Sequence, residues 1–172
     1  LEVVNGRPRF DTEVGRWDDF KQISGRTYDP QRHELMGEDD LTVLTELAST
    51  APADRLRAAA LARLAEGDER GRSDLSSAAR VALLTEAVRL SPGNRAGWNG
   101  LREMGRASQL SAQQTDRILD LVDKQLAPRY PELAVDVARD VVSWRGTREQ
   151  IGALDKLRPS LSGRPDLQVK LV

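Results

Sequence analysis

The chain has 172 residues, enough for one domain with a substantial core, and a formal net charge of −1 that offers no general attraction to nucleic acid or to an anionic membrane. It contains no cysteine, which excludes disulfides, thiolate metal sites and a cysteine nucleophile. With aromatic residues at only 4% and Ala and Leu abundant, the core is expected to be thin and aliphatic, suited to close helix–helix contacts.

Residues 1–37 differ from the rest. Asn5-Gly6, Pro8, Gly15, Gly25, Asp29-Pro30 and Gly37 break helices at this density, while Phe10, Trp17, Phe20 and Tyr28 are spread among them. Asn5-Gly6 after Val3-Val4 has the chemistry of a type I′ hairpin turn, with Pro8 limiting the return strand to an edge. The region is expected to be an extended arm, or the remnant of a preceding domain, whose aromatics pack on a helical body. The chain opens at Leu1 instead of Met and closes on Leu171-Val172, which reads as a processed product or an excerpt of a longer protein.

Residues 38–159 read as a helical-repeat domain. Asp39 or Asp40 caps a first helix carrying Leu41, Leu44, Leu47 and Ala48 on one face. Thr50-Ala51-Pro52 starts a second, with Leu56, Ala59, Ala60 and Leu64 at three- and four-residue steps and Gly67 as its stop. A polar loop over Asp68–Asp74 precedes a third helix to Leu90, burying some of Ala79, Val81, Leu84, Ala87 and Val88. Gly93-Asn94 turns the chain into a short helix with Trp98, Leu101 and Met104 inward and Gly105 as its end.

Ser111-Ala-Gln-Gln114 is a capping box, opening a helix with Ile118, Leu119, Leu121, Val122 and Leu126. Pro128 and Pro131 close it and open the next, in which Leu133, Val137 and Val141 form one stripe beside Ala134, Ala138 and Val142. Gly146 and a second capping box, Thr147-Arg-Glu-Gln150, lead into a seventh helix with Ile151, Leu154 and Leu157. Residues 160–172, broken by Gly163 and Pro165, are expected to be an irregular tail. The fold class is therefore all-α: antiparallel helical hairpins stacked as an irregular array, with an extended N-terminal arm.

Leu84-x-x-Ala87-x-x-x-x-Pro92 followed by Trp98-x-x-Leu101 resembles the junction between two tetratricopeptide repeats, a likeness that extends over about 54–130. Ala87 is small where two helices cross, Pro92 ends one repeat, and Trp98 with Leu101 starts the core of the next. The period slips on both sides. The loop Asp68–Asp74 lengthens the upstream repeat, Arg102 stands where a repeat usually has Gly, and Gly105 stands where it usually has an aromatic. The resemblance implies a surface that holds another protein. Residues 1–12, Leu1 through Asp11-Thr12, resemble the last strands of a transglutaminase-like domain, with Asp11 at the position that orients a catalytic histidine. The cysteine is missing and no histidine precedes Asp11, so this likeness implies at most the region following such a domain.

No combination of residues assembles an active site. His33 is the only histidine, and the acidic run Glu38-Asp39-Asp40 lacks the alternating spacing of a calcium loop. Gly93, Gly97 and Gly100 lack both the preceding strand and the lysine of a phosphate loop. Asp116, Asp120 and Asp123 share one helix face, open either to a cation or basic peptide or to solvent, with Arg117 and Lys124 nearby. Trp98 and Trp144 belong to the core, whereas Trp17 is open to packing or to a partner contact.

Charge is uneven: residues 1–50 carry 11 acidic and 6 basic side chains, residues 51–110 carry 7 and 10, and the basic excess includes the row Arg95, Arg102 and Arg106 along the Trp98 helix. The expected function is a non-catalytic protein–protein interaction or scaffold module, not an enzyme, with no cofactor and no metal. Its recognition residues are Asn94, Arg95, Asn99, Arg102, Arg106 and Trp17, and its partner is a protein or peptide, an acidic terminus among the candidates. The alternatives are an accessory helical region of a larger envelope-associated or secreted enzyme, or a structural subunit of an assembly. No apolar run approaches the ~20 residues of a membrane span, which fits a soluble protein in the cytoplasm, the periplasm or outside the cell.

Overall fold

A computed structural model describes residues 3–4, 7–8, 27–29, 34–36, 41–66, 75–143 and 147–171. Among the described residues, eight α-helices make up the body. In chain order they are α1 (Leu41–Thr50), α2 (Asp54–Glu66), α3 (Ser77–Leu90), α4 (Arg95–Arg106), α5 (Ala112–Leu121), α6 (Pro131–Val142), α7 (Thr147–Asp155) and α8 (Pro165–Lys170). A π turn, Val122–Leu126, extends α5, and a 3₁₀ turn, Pro159–Leu161, precedes α8. The fold is all-α apart from two short antiparallel strand pairs near the N-terminus. β1 (Val3–Val4) pairs with β2 (Arg7–Pro8) in the register Val3 opposite Pro8. β3 (Thr27–Asp29) pairs with β4 (Glu34–Met36), and β4 lies against α2. The expected Asn5-Gly6 turn, Asp11, Trp17, His33, Glu38 to Asp40, the loop Asp68–Asp74, Trp144 and Gly146 lie outside the described residues.

Most of the helices pack on a neighbour in sequence, and several also on the next but one. α2 lies against α1, α3 and α4; α4 lies against α6; α6 lies against α8; α3 touches α5. This is the contact pattern of stacked hairpins, compatible with a helical repeat. It explains the composition of α2. Ala58, Ala59, Ala60, Ala62 and Ala65 are all buried because neighbours surround the helix, and only small side chains let their axes approach. Ala58 and Ala62 meet Ala87 of α3 in a cluster of their own. The main core runs from Ala65 and Val81 through Trp98 and Ile118 to Leu171.

Local signals place most helix ends. The side chain of Ser76 accepts the Ala79 N–H, so α3 starts at Ser77, shortly after the expected loop. The Ser111–Gln114 capping box forms in both directions. Pro131 occupies the first turn of α6, where its missing N–H costs nothing. At the second expected box the Gln150 amide donates to the Ser143 carbonyl.

Three expectations are corrected. Gly105 does not end α4. The helix continues to Arg106 and closes in a Schellman motif, with the Gln109 N–H donating to the Met104 carbonyl at 2.9 Å and the Ser108 N–H to the Gly105 carbonyl at 3.0 Å. Ser108, at φ 57°, takes the left-handed position usually given to glycine. Gly105 serves the crossing with α6 instead, since a Cβ there would lie 2.5 Å from the Asp140 carbonyl oxygen. The expected irregular tail, residues 160–172, is helical in part over its described residues: Pro165 opens α8, and Leu161, Leu167 and Leu171 join the main core. Arg164 holds that segment to the start of α6 through Glu132 at 2.8 Å and also pairs with Asp166 at 2.9 Å. Ile151 is exposed, because Ala153, Leu154 and Leu157 supply the buried face of α7 and the turn after it.

Candidate interaction surface on α4 and α6

Asn94 opens α4 from inside the protein. It is fully buried, and its side-chain oxygen accepts the Gly97 N–H at 2.6 Å. Pro92 and Trp98 complete this junction, the indole N–H donating to the Pro92 carbonyl at 2.9 Å. The expected recognition role of Asn94 is therefore corrected to a helix cap. A side chain committed to an orphan backbone donor in the interior offers nothing to a partner.

The remaining expected residues of α4 stand on its surface. At 100° per residue, Arg95, Asn99, Arg102 and Arg106 fall within about 60° of one another around the axis. Arg95 and Asn99 are exposed at the N-terminal end of this row. Arg102 and Arg106 turn toward α6, where Arg102 Nε donates to Asp140 Oδ2 at 2.6 Å and Arg106 Nη2 donates to the same oxygen at 2.7 Å. The Arg102 and Asp140 side chains are 23% and 19% exposed, while Arg106 is 57% exposed, so the cluster grades from a shielded pair to an open cation.

Gly105 sets this geometry. By letting the α4 backbone touch α6 at Asp140 and Val141, it brings the arginines on either side of it within reach of one carboxylate. The three side chains form one wall of an open cleft of about 480 Å³. Asp136 and Arg139 of α6, Gln150 and Leu154 of α7 and Leu171 complete much of its lining. The sequence pattern on α4 finds the arginines. It does not find Asp140 or Arg139, because no local signal links them to a helix more than thirty residues away. Trp17 lies outside the described residues.

The acidic row on α5 behaves differently. Asp116, Asp120 and Asp123 border a second cleft of about 260 Å³ that Lys156 also lines. Lys124 pairs with Asp120 at 2.7 Å, and the Ser160 hydroxyl donates to Asp123. Asp120 and Asp123 thus have partners within the chain, and the described residues hold no group of three or more potential metal ligands. Beside them the π turn leaves Gln125 Oε1 buried without a hydrogen-bond partner among the described residues. No described helix is long and apolar enough to cross a membrane.

Comparison with known proteins gave no significant match to any family model, curated protein or solved structure.

Proposed function

We propose that the chain is a non-catalytic protein–protein interaction module, an irregular tetratricopeptide-like array that presents the outer row of α4 and the adjoining cleft of α6 to a protein or peptide partner. The observation that carries this reading is the row Arg95, Asn99, Arg102 and Arg106 standing beside α6 on helices fixed by next-but-one stacking. A rigid helical platform orders its recognition groups before binding, which reduces the entropy lost when a partner docks. Arginine suits such a surface because its planar guanidinium can hold one carboxylate and still direct further N–H donors outward. The Pro92–Trp98 junction, with Ala87 buried beneath it, supports the repeat-like reading.

The test is binding of equal-length acidic, neutral and basic peptides, measured by fluorescence anisotropy, against the wild-type chain and Arg95→Glu. Arg95 is exposed and its reversal leaves the core untouched, so circular dichroism is expected to be unchanged. Selective binding of the acidic peptide, weakened by Arg95→Glu, supports the assignment. Binding of none of the peptides, or acidic binding indifferent to Arg95→Glu and to every substitution at Arg106, Arg139 and Asp140, overturns it.

A further inference from the structure

The cleft between α4, α6 and α7 contains a carboxylate already seated on its arginines. We propose that this cleft receives an acidic side chain of a peptide partner, and that Asp140 is the internal occupant which that carboxylate displaces from Arg106. The inference rests on the interaction reading above and specifies the ligand group and its seat.

The geometry carries the argument. Both arginine contacts end on one oxygen, Asp140 Oδ2, instead of forming two parallel forks on two oxygens. Shared in this way, each contact engages one N–H of a guanidinium that has five. Arg102 contributes through Nε and is largely shielded, so it anchors Asp140 to α4. Arg106 is more than half exposed and reaches the same oxygen from the solvent side, so its contact is the one that water and ligands can contest.

Charge points the same way. Among the described residues, the lining holds Arg102, Arg106 and Arg139 against Asp136 and Asp140, one cation in excess. An incoming carboxylate that forks onto Arg106, with Arg139 at the rim, neutralises that excess. Asp140 then remains on Arg102, so neither charge is left unpaired on the shielded side. The Gln150 side chain adds polar character to the wall. A ligand without a negative group gains nothing from these guanidiniums and loses their hydration.

An internal competitor has a consequence opposite to that of an ordinary binding residue. Removing its charge strengthens binding. The experiment uses a short fluorescein-labelled peptide of Glu and Ser and its Gln-for-Glu counterpart, read by anisotropy at low and high salt, with circular dichroism on every variant. Wild type is expected to bind the Glu peptide in preference to the Gln peptide, and more weakly at high salt. Asp140→Asn is expected to tighten the Glu peptide by about three- to fivefold, the scale of one partly exposed ion pair. Arg139→Gln, an exposed substitution that leaves the fold intact, is expected to weaken it by a similar factor.

Weaker binding by a folded Asp140→Asn overturns the proposal, since it makes Asp140 a residue that positions the arginines. If Asp140→Asn fails to fold, Arg139→Gln and Arg106→Gln decide, and indifference to both overturns the cleft. Loss of binding on Arg95→Glu with no effect at Arg106, Arg139 or Asp140 rejects the cleft while leaving the α4 surface as an interaction face. Absence of any peptide binding rejects both.

Discussion

Gly105 and Val141 bring the backbones of α4 and α6 closer than a side chain permits: a Cβ added at Gly105 would lie 2.6 Å from Val141 Cα. The obstacle is backbone, so no rotamer change relieves it, and the two helices must separate. Gly105→Ala is expected to lower stability by about 1–3 kcal/mol despite alanine's better helix propensity. Gly152, in α7, is the control. Nothing lies within 4 Å of a Cβ there, and the alanine variant is expected to gain up to about 1 kcal/mol. Urea denaturation of the two variants checks both signs, and a neutral Gly105→Ala removes the close crossing.

Asn94→Ala tests the cap. The substitution leaves the Gly97 N–H without its acceptor in a fully buried setting, so the expected loss is about 1–3 kcal/mol, above that of an exposed cap. Peptide affinity per folded molecule is expected to stay unchanged. A variant of wild-type stability with reduced affinity would return Asn94 to the recognition surface.

Leu167→Ala tests the C-terminal segment. Leu167 is 1% exposed within the main core, and truncating it is expected to cost about 2–5 kcal/mol in the same urea assay. A loss near zero would show that α8 is held by its ion pairs alone.

Those ion pairs make the same region acid-sensitive. Hydrogen bonds from Arg164 hold the Glu132 and Asp166 carboxyls below their ordinary values of 4.5 and 3.8, and Glu86 is lowered in the same way by Arg89. A carboxyl lowered in the folded state adds stability that is fully present above its unfolded value and lost as pH falls through the folded one. The melting temperature is therefore expected to fall as pH drops below 4.5, with the fall continuing past 3.8. Because Glu132, Asp166 and Arg164 are exposed, added salt should blunt the effect. Arg164→Gln is expected to show a smaller acid-dependent fall than wild type; identical falls would deny the arginine this role.

The helical part of the fold was largely legible in the sequence. Ser111 and Gln114 signal a helix start because the two side chains satisfy donors within the same turn, and Pro131 does so because it lacks a donor. The same logic misled at Gly105, where glycine read as a stop. The close approach it allows depends on a helix that begins 26 residues later, at Pro131. It misled again at Gly163 and Pro165, read as breakers, although Pro165 opens α8 and Leu167 finds a place in the core. The arginine row on α4 was legible as a face, and its carboxylate was not.

By itself the sequence determined where most of the helices lie, which turn links Pro92 to Trp98, and that the core is aliphatic and close-packed. These depend on interactions within about four residues, the reach of a cap, a turn or one helical repeat. Only the tertiary structure decided that Asn94 points inward, that Arg102 and Arg106 meet on Asp140, and that the last residues complete the core. Those outcomes depend on how α4, α6 and α8 settle against one another, and that follows from many small contacts summed across the stack, which no single stretch of sequence contains.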